Sequence, residues 1–337
     1  MRDNKKIILN SIIFILLIIL TFYILLKDQS PMDIVEIIKS AKIGYVFIGA
    51  FCMLIYISLE AVNIGRTLKK LNEKSNFLKN FKYALIGFFF SAVTPAASGG
   101  QPMQIYYMHK DGISVSNSTL ALLLNLTSMQ ICTLGIAFAS LFFNYQNLNG
   151  LLIALLVIGV TLNASALALL IIGIFSKKLS KWLVNFAIKI LTFFKFKNLD
   201  KKKEKLEAEL QKYHEGAVYI KNNKLLIVKI LITTIIQFLI YYSVTYWTYR
   251  ALGFSEYGLF KIISMQSILF ATVSGIPSPG SVGVTEGAFT EIFRNVYPSE
   301  VMSTAVLLSR GINFYLFVLI SGIATIINHA RSSKKIN

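Results

Sequence analysis

Two stretches of this sequence are apolar enough for a membrane yet broken in the middle. Tyr83–Met108 reads YALIGFFFSAVTPAASGGQPMQIYYM, and Ile262–Phe293 reads IISMQSILFATVSGIPSPGSVGVTEGAFTEIF. Four of the six prolines, Pro95, Pro102, Pro277 and Pro279, sit in the two centres. Proline removes a backbone donor and interrupts a helix, and glycine admits backbone shapes that other residues resist. Interrupted backbone at membrane depth is tolerated only where protein covers it or where it lines a wet cavity. Both stretches are therefore expected to be re-entrant or broken helix pairs. The arms of the first are about half a bilayer long at about 1.5 Å per residue.

The rest of the chain supplies the bilayer context. About 20 apolar residues cross a hydrocarbon core of about 30 Å, and six runs qualify: Ile7–Leu26, Ile43–Ile64, Thr119–Phe143, Gly150–Phe175, Leu225–Tyr249 and Ser303–Asn328. The first is too long for a signal peptide and has no small-residue cleavage site after it. With 55% hydrophobic and 15% charged residues, against about 25% charged in soluble proteins, a soluble or disordered chain is excluded. The expected fold is an all-α polytopic membrane protein with about six full spans and two re-entrant helix pairs.

The net charge of +18 then reads as basic cytoplasmic loops beside anionic lipid, and nucleic acid is not an expected partner. Thirteen Lys and Arg fall in Ser176–Lys224 and six in Gly65–Lys82. Placing these inside puts both termini in the cytoplasm, opens 83–108 toward the cytoplasm and opens 262–293 outward. Two broken segments of opposite orientation are the pattern of an inverted-topology repeat. The chain reads as one membrane domain, 1–337. Its first half is 1–175, a basic cytoplasmic linker covers 176–224, and the second half is 225–328. The linker starts with an amphipathic basic segment carrying Trp182, Phe186, Ile190 and Phe194, expected to lie in the membrane interface.

Ionisable residues at membrane depth are costly and are functional candidates by default. Glu60, Glu286, Glu291 and Arg310 stand out, with Arg66 and His109 at boundaries. Glu60 is either interfacial or a substrate group. Glu291 with Arg294 reads as a surface pair and His109 as a loop residue. Arg66 either snorkels or contacts a phosphate at the inner face. Glu286 and Arg310 either neutralise each other or form a site, with Arg310 binding an anion and Glu286 a cation. Free N–H groups at Ser98–Gly100 and Ser281–Gly283 suit a lipid phosphate. No nucleotide-binding, nucleophile-elbow or zinc-protease motif is present. Cys52 and Cys132 read as small buried residues, so neither cofactor nor metal is expected.

The stretch SAVTPAASGGQPMQIYYMHKDGISVSNSTLALLL, the stretch GIPSPGSVGVTEGAFTEIF and Arg310 in SRGINFYLFVLISG resemble the transmembrane domain of lysylphosphatidylglycerol synthases and its stand-alone relatives. The resemblance covers nearly the whole chain. It implies a flippase that carries aminoacylated phosphatidylglycerol, or a related lipid, between leaflets of a bacterial plasma membrane, with a role in resistance to cationic antimicrobial peptides. By the same resemblance, Thr94, Pro95, Gly99, Gly100 and Pro102 form the first re-entrant motif. Pro277, Pro279, Gly280, Gly283 and Glu286 form the second, and Arg310 follows on the next helix. Ser281 stands where the pattern expects a second glycine. The sequence ends at Asn337 without the family's cytosolic synthase domain, so transferase activity by itself is not expected. The alternative implied is the membrane component of a phosphatidylglycerol lysyltransferase, or another lipid-linked transferase, working with a separate synthase chain. The expected ligand is an anionic phospholipid or lysyl-phosphatidylglycerol, and a homo-oligomer is compatible with the sequence.

Overall fold

The computed structural model describes residues 32, 36, 39–94, 97–144, 150–193, 199–276 and 279–333. The run Ile7–Leu26 and the prolines Pro95 and Pro277 lie outside them, as does Phe194 of the linker. The described residues are helical, with no strand among them. In chain order the helices are α1 (Ile43–Lys70), α2 (Phe77–Val93), α3 (Gly100–Lys110), α4 (Val115–Asn144), α5 (Gly150–Phe175) and α6 (Lys177–Phe193). They continue as α7 (Leu199–Asn222), α8 (Lys224–Ala251), α9 (Leu259–Val273), α10 (Val284–Ile292), α11 (Ser299–Arg310) and α12 (Leu316–Ser333). A wide π turn, Gly311–Tyr315, joins α11 to α12.

Five helical stretches are long and apolar enough to cross a membrane: α1, α4, α5, α8 and the continuous Ser299–Ala330. They match five of the six runs read from sequence. Their outer faces carry Phe47, Phe51, Val157, Leu169, Ile232 and Ile323, all exposed. So much contiguous apolar surface is not tolerated in water, so these faces meet lipid. The protein is a multi-pass helical membrane protein.

Helices α1 and α8 form the central pair and run antiparallel. At one end the Lys42 N–H donates to the Ala251 carbonyl at 2.9 Å. At the other, Arg66 on the last turns of α1 donates to the Lys229 carbonyl at 3.0 Å and to the Thr233 hydroxyl. Between them Asn63 donates to Thr234 at 3.0 Å, and Thr234 meets Ser128 of α4 at 3.0 Å. Such polar contacts hold helices together where lipid offers no hydrophobic drive.

Both broken segments are hairpins. In the first, Asn76 caps α2 by accepting from the Lys79 N–H at 2.9 Å. The chain breaks after Val93, and Pro102 falls in the first turn of α3, where its missing donor costs nothing. Beyond α3, Asp111 accepts from Lys82 and from the Tyr83 hydroxyl, both near the start of α2, so the hairpin ends where it began. In the second, the Tyr257 hydroxyl ahead of α9 donates to the Asn295 carbonyl just past α10 at 3.1 Å. Tyr249, Phe254, Phe289, Phe293 and Tyr297 close that base with stacked and edge-on rings.

The two hairpins start from opposite ends of the bundle, and their partners are exchanged. Helix α2 packs on α1 but also on α12, and α9 packs on α8 but also on α4. Swapping α1, α2–α3 and α4 for α8, α9–α10 and α11–α12 therefore maps contact onto contact.

The basic segments gather at one end. Glu73 after α1 accepts from the Ser114 hydroxyl at 2.9 Å and from Asn117 at 2.7 Å, and pairs with Lys212 of α7. Glu209 of α7 accepts from the Ser116 N–H at 2.9 Å, and Tyr213 donates to the Gly173 carbonyl at 2.6 Å. His329 of α12 and the Tyr107 hydroxyl of α3 meet at this end too, 3.2 Å apart. The linker is thus docked on α4 and α5. Its Trp182 and Phe186 stack with centroids 5.6 Å apart and stay exposed.

Candidate functional site

The hairpin tips approach each other inside the bundle, and a cavity of about 310 Å³ lies between them. The first hairpin contributes Ser91, Ala97, Gln101 and Gln104 to its wall, and the second contributes Ser274, Gly280, Ser281 and Thr285.

Each tip is held by its own sequence. In the first, the Thr94 hydroxyl donates to the Phe90 carbonyl at 2.6 Å and accepts from the Gly99 N–H at 2.9 Å, bridging the break. Gly100 opens α3 so close to α2 that a Cβ there would overlap the Ser91 hydroxyl and lie 2.9 Å from the Gly87 carbonyl. In the second, Gly280 and Gly283 adopt φ of +58° and +81°, a region that side chains resist. A Cβ on Gly280 would also strike the Phe314 ring. Ser281 adopts φ +51°. The glycine expected there is replaced by a strained serine, whose hydroxyl reaches the Val273 carbonyl at 3.2 Å.

Arg310 is the last residue of α11, 6% exposed, and lines the cavity. Its Nε donates to Glu286 Oε1 at 3.0 Å, and its Nη2 donates to the Gly280 carbonyl at 2.8 Å. The guanidinium also lies over the Phe314 ring, 4.3 Å from its centroid. In a π turn, residues five apart fall in line, and Tyr315 joins Arg310 on Glu286 at 3.3 Å. The other carboxylate oxygen of Glu286 accepts from the Gly283 N–H at 2.6 Å. The start of α10, expected to await a phosphate, is therefore filled by the protein's own carboxylate.

Glu60 lines the same cavity and accepts from Gln104 at 3.1 Å; Gln104 donates as well to the Tyr83 carbonyl at 3.1 Å. The structure thus brings Glu60, Arg310 and both tips to one cavity, with Glu286 behind Arg310. Arg66 is elsewhere, clamping α1 to α8 and also donating to Asn63 at 3.3 Å. Glu291 pairs with Arg294 at 3.8 Å on the surface, and His109 sits 3.4 Å from the Ile113 carbonyl.

A family model described as the lysylphosphatidylglycerol synthase TM region matches residues 7–321. The chain belongs to that family. It is also similar to a UPF0104 membrane protein of Archaeoglobus fulgidus, with 21% identity over 259 residues, covering 75% of this chain and 77% of that one.

In this member of the lysylphosphatidylglycerol synthase transmembrane family, the cavity carries side chains that a search for ionisable groups passes over. Asn125, Gln130, Asn163, Gln266 and Asn313 line it. Asn163 bonds to the Ala271 carbonyl at 3.1 Å and to Ser274 at 3.2 Å, and Gln266 accepts from Thr245 at 2.9 Å. Asn125 and Asn313 are 3% and 5% exposed, and their Oδ1 atoms, like Oε1 of Gln130, accept no hydrogen bond from the described residues. The signal was present in sequence: each is an amide within an apolar run, Asn125 and Gln130 in the same one, where a polar side chain needs a reason.

Proposed function

We propose that the chain moves a phospholipid between leaflets, its headgroup passing through the cavity between the hairpin tips. The observation that carries this reading is that cavity, lined by Arg310, Glu60 and several amides and reached by two hairpins from opposite ends of a bundle whose outside is lipid-facing. A headgroup at membrane depth without partners costs several kcal/mol, and the cavity offers partners. Arg310 is the anion pole and receives the phosphate. Glu286 holds the guanidinium in place, so its carboxylate is spent on Arg310.

In this reading the hairpins are re-entrant, the basic end faces the cytoplasm of a bacterial plasma membrane, and the two halves rock about the α1–α8 pair. Lysyl-phosphatidylglycerol is the headgroup that the family name suggests, and phosphatidylglycerol is the comparison. The test is leaflet exchange of fluorescent phosphatidylglycerol and its lysyl derivative in proteoliposomes. Wild type is expected to exchange lipid. Arg310→Lys, which keeps the charge but loses the planar fork, is expected to slow exchange by about tenfold, the equivalent of about 1.4 kcal/mol. Absence of exchange in well-folded wild type would overturn the reading and leave the partner-dependent transferase.

A further inference from the structure

The cavity's charges are not evenly met. Its cationic wall is compensated within the protein, because Arg310 is paired with Glu286 at 3.0 Å. Its anionic wall is not. Glu60 has Gln104 as its hydrogen-bond partner, and no basic side chain among the described residues lies within ion-pair distance of it.

What surrounds Glu60 narrows the guest further. Tyr56, one turn earlier on α1, and Tyr241 of α8 line the same cavity with ring centroids 4.9 Å apart. The unmet polar atoms of the lining, Asn125 Oδ1, Gln130 Oε1 and Asn313 Oδ1, are all acceptors. An amide can be turned to present a donor, so the sign rests on Glu60, which in its ionised form only accepts. The missing partner is rich in donors and positively charged. An ammonium group fits, with three donors and no acceptor, and aromatic faces attract cations within about 6 Å. An anion or an apolar group there would leave Glu60 either protonated or uncompensated at low dielectric.

We propose that Glu60, Tyr56 and Tyr241 form a cation subsite that takes an organic ammonium group, in the same cavity as Arg310. The ammonium comes either from a lipid headgroup or from a water-soluble amine. Only the lipid source depends on the transport reading above.

The test uses the purified full chain and has two arms. In proteoliposomes, exchange of lysyl-phosphatidylglycerol is compared with exchange of phosphatidylglycerol. In detergent, equilibrium binding of lysine methyl ester is measured. Glu60→Gln keeps the shape and an acceptor for Gln104 but removes the charge. It is expected to lower the ratio of cationic to anionic lipid exchange about tenfold, or to abolish ester binding. Tyr241→Phe, which keeps the ring, is expected to retain more of either signal than Tyr241→Leu. A melting curve separates these effects from misfolding. Discrimination between lipids without ester binding assigns the ammonium to a headgroup, and ester binding without lipid exchange assigns it to a soluble amine. The subsite is overturned if Glu60→Gln slows both lipids equally and leaves ester binding intact, or if wild type neither discriminates nor binds. A wild type that moves no lipid at all but binds the ester overturns the transport reading alone.

Discussion

At the scale of single residues, the second hairpin tip sets two adjacent positions against each other. Gly280 and Ser281 both have positive φ, but Gly280 faces the Phe314 ring whereas Ser281 places its hydroxyl on the Val273 carbonyl. Gly280→Ala adds left-handed strain of about 1–2 kcal/mol and a ring contact, and is expected to lower the melting temperature clearly. Ser281→Gly relieves a similar strain. It also loses a hydrogen bond of about 1 kcal/mol and gains glycine's chain entropy of about 0.5–1 kcal/mol. Its melting temperature is expected to stay close to wild type, as differential scanning fluorimetry of the two variants would show. The charged members of the site were legible in sequence because a charge in an apolar run is conspicuous. The identity of their partners was not. That Arg310 holds Glu286, 24 residues earlier, and that Arg66 ties α1 to α8, both depend on which helices become neighbours.

At the scale of elements, the base of the first hairpin is an acid-sensitive latch. Burial alone would raise the Asp111 carboxyl, but hydrogen bonds from Lys82 and Tyr83 and the Lys82 charge outweigh it and hold it below the ordinary Asp range. Glu73 is depressed in the same way, burial being overcome by Asn117 and Ser114. A carboxylate with a depressed folded value contributes stability that is complete above its unfolded value and is lost as pH falls through the folded one. Melting temperature should therefore drop below about pH 4, the ordinary Asp range, and Asp111→Asn should flatten that drop. A wild-type curve parallel to that of the variant would refute the latch. The hairpins themselves were readable from proline and glycine placed mid-run, since the breakers act locally. Their packing was not, because nothing in α2 announces α12 as its neighbour.

For the molecule as a whole, the distribution of Lys and Arg makes a prediction about sidedness. Glu256, between α8 and α9, and Lys203, in the linker, are both exposed and lie at opposite ends of the bundle. Single cysteines at these positions, in a background lacking Cys52 and Cys132, should label differently with an impermeant maleimide applied to intact cells. Position 256 is expected to label at once and position 203 only after permeabilisation; the reverse result would turn the orientation over. Five of the six runs were legible as long helices because bilayer thickness fixes their length. The exchange of partners between halves, in which α2 lies on α12 and α9 on α4, was not.

That exchange also bears on how the protein is made. A ribosome delivers α2 and α3 well before α12, so the first hairpin leaves the insertion machinery before one of its two walls exists. That hairpin lacks its second wall until α12 arrives. Assembly of the first half is thereby coupled to delivery of α12: a chain cut short before that helix carries an unclosed hairpin.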